Sequence, residues 1–221
     1  MLSAIASDIS TDDLVFFGGT ALSRTHLGDS RLSEDIDLIA RIPRKEIAEK
    51  IERAVRRGLA RSHGRPTWQP ALTATTGSQP TVLTVPDGTS VQVQLLGGEG
   101  YLWPTEVVEI EQRYSDAPPA RLRVLTADAF AAAKLGAWID RGAPRDLYDL
   151  WAMSERGLIG PSALRVFVAH GPFGKPPDAW VFDCALDEGA WMRALGHQTQ
   201  LRVSAQEAMT IVRNIWLRVA Q

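Results

Sequence analysis

Phe17-Gly18-Gly19-Thr20-Ala21-Leu22-Ser23, followed by Arg31-Leu32-Ser33-Glu34-Asp35-Ile36-Asp37-Leu38-Ile39, decides how the chain of 221 residues is read. The apolar run Leu14-Val15-Phe16-Phe17 has the length of a buried strand and is broken by two glycines. Paired glycines allow a tight turn and leave room for another group to approach the backbone. Thr20 stands where a helix N-cap is expected, and the N–H groups of such a turn and helix start favour an anion, most often a phosphate. Further on, Asp35 and Asp37 sit at the mouth of a second apolar strand. Period-two alternation puts both carboxylates on one face, about 7 Å apart along the strand. Two carboxylates held that close call for a cation between them, and hard oxygen ligands suit Mg²⁺. Strand, glycine turn, helix, Asp-x-Asp and strand together point to a metal-bridged nucleoside triphosphate.

Working outward, the composition is 45% hydrophobic and 23% charged with a net charge of −2, which is ordinary for a soluble chain of one large or two small domains. A net negative chain is not a wholly basic nucleic-acid coat, so contact with RNA has to come from a local patch. The single cysteine, Cys184, cannot form an internal disulfide and reads as a small buried apolar residue in a reducing, cytoplasmic setting. No charged leader precedes an apolar segment, and no apolar run reaches about eighteen residues. His26, His63, His170 and His197 lack metal-ligand spacing.

A short helix is expected over residues 2–9. A second starts at Pro43 and runs to about Leu59, with Ile47, Ile51, Val55 and Leu59 as its buried stripe. From Arg41 to Arg65 there are nine basic and three acidic residues, a local excess of six. That face, with Arg53, Arg56 and Arg57, is either a solvated surface balanced by pairs such as Glu49–Arg53 and Glu52–Arg56, or a contact for a phosphate backbone. Residues 62–80 read as loop, with Trp68 a packed aromatic. Thr81–Val85 and Ser90–Leu96 flank Pro86-Asp87-Gly88 as a hairpin, Val91, Val93 and Leu95 facing one way and Gln92 and Gln94 the other.

Residues 101–120 read as a crossing segment with one short element, and a lobe boundary is placed near Ala120. Thr126 is the expected N-cap of a helix over 127–141 that stops at Gly142, and Pro144 starts the next helix. Locally, Lys134 reads as an exposed or snorkelling side chain and Asp146 as a partner of the helix dipole, sharing a face with Asp149. Residues 155–200 hold a loop at 171–177 among short amphipathic pieces, and Ser204 with Glu207 forms a capping box before a final helix.

The stretch GGTALSRTHLGDSRLSEDIDL resembles the signature of the DNA-polymerase-β-like nucleotidyltransferases, and more narrowly the AbiEii/AbiGii toxins, which include the MenT type. Lys134, Arg141, Arg145, Asp146 and Asp149 resemble that family's downstream motif. The resemblance implies an α+β fold, a nucleotidyltransferase lobe with a small mixed sheet over 1–120 and a helical lobe over 121–221 with a cleft between. It implies transfer of a nucleoside monophosphate, pyrimidines favoured, from an NTP to a tRNA 3′ end, by a toxin with a cognate antitoxin. Asp35 and Asp37 would then hold Mg²⁺, and Gly18, Gly19, Thr20 and Ser23 would cradle phosphates. Lys134 would neutralise the triphosphate, with Arg145 and Asp146 beside it and Asp149 orienting the lysine or the attacking hydroxyl. The third metal carboxylate general in the superfamily is missing where it is expected, since the chain offers Gln92 and Gln94. Transfer to a protein or small molecule, and a non-catalytic NTP- or RNA-binding regulator, are the alternatives.

Overall fold

Two strands meet at the glycine pair and the Asp-x-Asp pair, and the sheet is built around them. In the computed structural model, which describes residues 1–28, 30–98, 103–113, 118–184 and 186–221, β1 (Leu14–Phe17) runs antiparallel to β2 (Ile36–Ala40). Phe17 lies opposite Asp37 and Leu14 opposite Ala40. Between them, α2 (Gly18–Ser23) begins at the glycines, as the break in the apolar run predicts. Ahead of β1, α1 (Leu2–Asp8) is the expected short helix.

From β2 the chain enters α3 (Arg44–Leu59), whose Ile47, Ile51 and Val55 are fully buried at the predicted spacing. It returns through β3 (Thr67–Gln69), a 3-10 turn at Leu72–Ala74, β4 (Thr81–Thr84) and β5 (Ser90–Gly97). β4 and β5 form the expected antiparallel hairpin, and β5 lies parallel to β2 with Gln94 opposite Asp37. The stretch 62–80 is not all loop: β3 pairs with β4, placing Trp68 opposite Leu83. Its three residues are too few to show a period, and the open edge of β4 recruits them. With β6 (Thr105–Glu109) and β7 (Arg121–Leu125) the sheet has the order β3-β4-β5-β2-β1-β7-β6, β7 lying parallel to β1. The mixed sheet with its helices bears out the α+β expectation. Leu38, Ile39, Val93 and Leu95 are fully buried at its centre.

The remaining elements are helical: α4 (Ala127–Arg141), α5 (Pro144–Glu155), α6 (Pro161–His170), α7 (Glu188–Leu195) and α8 (Ala205–Val219). Thr126 caps α4 by accepting from Ala129 N, and Gly142 ends it at φ +57°. Ser204 and Glu207 form the reciprocal capping box of α8. α4 packs on α5 and α6, and α5 packs on α7 and α8. The described residues fall into two compact units, one within 1–28, 33–101 and 105–124, the other within 29–32, 102–104 and 125–221. Cys184 is exposed, contrary to its expected burial, because it follows the 3-10 turn Ala179–Phe182 at the surface while Val181 and Phe182 go inward. No helix among the described residues is long and apolar enough to cross a membrane.

Candidate active site

In the sheet unit, Gly18 has φ +79°, a backbone conformation that side chains rarely adopt, and a Cβ there would stand 2.0 Å from Oδ2 of Asp37. The glycine is therefore needed twice, for the turn and for the carboxylate that lies against it. Asp35 is held from the same helix: Thr20 Oγ1 donates to the Asp35 carbonyl at 2.5 Å. This corrects one sequence expectation. Phe17 is the N-cap of α2, so Thr20 lies inside the helix, and its hydroxyl clasps the loop before β2. Ser23 is buried and donates to Thr20 O at 3.1 Å. Asp35 and Asp37 themselves are half-buried.

The position across from Asp37 on the neighbouring strand is Gln94, one of the two glutamines that the resemblance points to. Residues opposite each other on adjacent strands share a face, so Gln94 stands on the face of Asp37, where the resemblance implies a third carboxylate. Its amide donates to Ser78 O, which ties the side chain to the loop before β4. Among the described residues no group of three or more His, Cys, Asp and Glu is arranged to hold a metal. Two carboxylates with room made beside one of them fit a hard divalent cation that draws its other ligands from water and substrate oxygens.

In the helical unit a second constellation forms around Lys134. Locally that residue reads as exposed, yet only 8% of it reaches solvent, because α5 packs over this face of α4. Its Nζ lies 3.1 Å from Asp146 Oδ1 and 2.7 Å from Asp149 Oδ2. Each aspartate is also gripped by an arginine. Arg141 donates through Nε to Asp146 Oδ2 at 2.7 Å and through Nη2 to Oδ1 at 3.0 Å. Arg31 donates through Nε to Asp149 Oδ1 at 2.9 Å and through Nη2 to Oδ2 at 2.8 Å. Its Nη1 reaches Gln198 Oε1 at 3.0 Å. Burial pushes the Asp146 carboxyl up, but Lys134 and Arg141 outweigh it and hold the group below the ordinary aspartate range.

Asp146, expected beside the nucleotide, has no exposed surface and is occupied by Lys134 and Arg141. Arg145 does not join the cluster and is exposed in the first turn of α5. Arg31 and Gln198 are functional candidates that the sequence reading passed over. Arg31's place beside Ser33-Glu34-Asp35 in the motif is the one signal that marks it.

On α3 the basic face is partly matched. Arg53 pairs with Glu49 at 3.8 Å, as expected, and Arg57 with Asp8 at 2.8 Å. Glu52, expected to face Arg56, instead accepts from Thr73 N at 3.0 Å, and Arg56 is exposed. Lys50 bonds Asp13 and Glu46, each at 3.0 Å, and Arg44 donates to Leu95 O at 3.0 Å.

A family model described as nucleotidyl transferase AbiEii toxin, type IV TA system, matches residues 1–207. Among solved structures, a protein from H. pylori described as a nucleotidyltransferase shares 16% identity at a TM-score of 0.53, over 98% of this chain and 92% of that one. An antigenic nucleotidyltransferase-like protein from Paracoccidioides brasiliensis shares 13% identity at a TM-score of 0.39, over 71% of this chain and 78% of that one. At these identities the likeness to the first is one of fold. No curated protein matches the chain.

Proposed function

The chain belongs to the AbiEii nucleotidyltransferase toxin family, and on that premise we propose that it transfers a nucleoside monophosphate from an NTP to the 3′ acceptor end of a tRNA, with pyrimidine nucleotides favoured. Translation then stops, and a cognate antitoxin relieves the block. The observation that carries the reading is the contact of Gly18 with the Asp37 carboxylate, which joins the glycine turn and the Asp-x-Asp pair into one site.

The acceptor hydroxyl attacks the α-phosphorus in line with the bond to the leaving pyrophosphate, and catalysis is mostly positioning and charge stabilisation. Asp35 and Asp37 would hold Mg²⁺, with Gln94 unable to add charge. When bound, such an ion polarises phosphoryl oxygens and lowers the pKa of a ligated hydroxyl. Thr20 keeps Asp35 in place through its carbonyl, and Gly18 leaves room for Asp37. Gly18, Gly19 and Thr20 would cradle the phosphates, with Ser23 adding a hydroxyl contact. Lys134 supplies positive charge to the triphosphate, Arg145 braces it from the start of α5, and Asp146 and Asp149 hold the lysine.

The test is transfer of label from α-³²P-NTPs, one nucleotide at a time, to total RNA and to total protein. The reading predicts Mg²⁺-dependent labelling of the tRNA band, strongest with CTP or UTP. Labelling of protein alone, or binding without transfer, contradicts it and favours a protein-modifying enzyme or a non-catalytic regulator respectively.

A further inference from the structure

Each aspartate on α5 that faces Lys134 already has an arginine of its own. Arg141 takes both oxygens of Asp146 in a fork, and Arg31 takes both oxygens of Asp149 in another. Bidentate arginine–carboxylate pairs are the strong form of this contact, fixed in geometry as well as charge. Lys134 inserts between the two pairs, sharing Asp146 Oδ1 with one fork and Asp149 Oδ2 with the other. Two of its three ammonium donors are thereby used and its orientation is set, while the carboxylate charges are matched elsewhere.

Without the arginines, two carboxylates facing one lysine would consume its charge and leave the cluster net negative. Arg31 is the decisive member because it is buried with Asp149: 4% of Arg31 and 2% of Asp149 reach solvent, and their side chains meet with little water to screen them. Gln198 fixes the third arm of the guanidinium, and Leu32 N donates to Gln198 O at 2.9 Å, so the arginine is clamped from both sides. Taking two charges out of water in this way is costly, and a bare stability role could be met by apolar side chains of similar size.

We infer that Arg31 is a positioning residue that neutralises Asp149 and so leaves the charge of Lys134 available to a polyphosphate anion. This rests on the proposed nucleotidyltransferase reading and adds to it a role for the arginine four positions before Asp35, at the start of the stretch that carries the aspartate pair. Arg31 does not touch the nucleotide. It acts through Asp149 on Lys134.

The experiment measures the affinity of the full chain for inorganic tripolyphosphate by calorimetry, a readout that needs no turnover. Arg31→Met leaves Asp149 to draw on Lys134, and affinity should fall about tenfold or more, as removal of one unscreened charge requires. Arg31→Lys keeps the charge and loses the fork, and should stay within about threefold of wild type. In the double variant Arg31→Met/Asp149→Asn the charge balance is restored, and affinity should return to within about threefold of wild type. A merely structural role for Arg31 offers no reason for that recovery.

If Arg31→Met binds as wild type does, or if the double variant binds no better than Arg31→Met, the inference fails. Should Arg31→Met not fold, Asp149→Asn decides: it must bind tripolyphosphate at least as tightly as wild type, and weaker binding overturns the account. A wild-type chain that binds no tripolyphosphate overturns it as well. Nucleotide transfer measured on the same proteins separates the two proposals. Transfer unchanged in Arg31→Met sinks this inference alone, whereas the predicted affinities in a chain that never transfers nucleotide sink the transferase reading and leave Arg31 assigned.

Discussion

Gly18 and Asp37 occupy space that only a glycine can share: a Cβ on Gly18 would stand 2.0 Å from the carboxylate oxygen Oδ2. The backbone there, at φ +79°, adds a second reason against any side chain. Gly18→Ala is therefore expected to cost about 1–2 kcal/mol from the left-handed backbone alone, and more as Asp37 is pushed aside. Thermal melting should show the loss of stability, and label transfer should fall by more than the melting temperature explains. A variant with wild-type turnover would mean that the carboxylate has no fixed post against the turn.

Lys134→Ala should do two things at once. The lysine is buried between two carboxylates, so its removal costs about 3 kcal/mol by the measure of broken buried ion pairs, visible in a denaturant titration. Local sequence, an alanine-rich helix, predicts the opposite: a neutral or mildly favourable change. Turnover should fall about a hundredfold or more in the fraction that remains folded, and growth arrest on expression should vanish.

The contrast at Lys134 shows where reading the sequence stops. Local signals were sufficient for the glycine break after β1, the Thr126 cap, the Gly142 terminator and the Ser204–Glu207 box, since each depends on neighbours within a turn. The strand alternation in β5 also separated Gln92 and Gln94 from Val93 and Leu95, which are buried. Arg31 and Asp149, in contrast, are 118 positions apart, and no periodicity links them. Lys134 is buried because α5 covers it, which its own helix cannot reveal. Thr20 has the chemistry of a cap, but an acceptor fifteen residues away, the Asp35 carbonyl, outcompetes that role. The strand β3 exists only because β4 offers it an edge.

Asp146 links the cluster to pH. Its folded pKa lies below the ordinary value, so it contributes stability that is fully present above about pH 3.9 and is lost as pH falls through the depressed folded value. Asp146→Asn should melt well below wild type at pH 7. The gap should close as pH drops below the ordinary aspartate range, where the wild-type carboxylate also becomes neutral. Equal gaps at pH 7 and under strongly acid conditions would show that the charge on Asp146 contributes nothing.

The face of α3 has its own test. Replacing Arg53, Arg56 and Arg57 together with alanine should weaken tRNA binding and flatten its salt dependence by about two to three in log–log slope, with NTP affinity unchanged. Arg53 and Arg57 already pair with Glu49 and Asp8, so a slope equal to wild type would assign this face to solvent.

The central claim is that Asp35 and Asp37 form the carboxylate pair of a nucleotidyltransferase. The most direct measurement is label transfer from α-³²P-NTPs to RNA by Asp37→Ala in a Mg²⁺-containing assay, beside wild type and with folding checked by melting. The account predicts a folded protein with no detectable transfer, and Asp35→Ala nearly as inactive. A folded Asp37→Ala protein that keeps more than about a tenth of wild-type turnover would contradict it, because the metal carboxylates would then have to lie elsewhere in the chain.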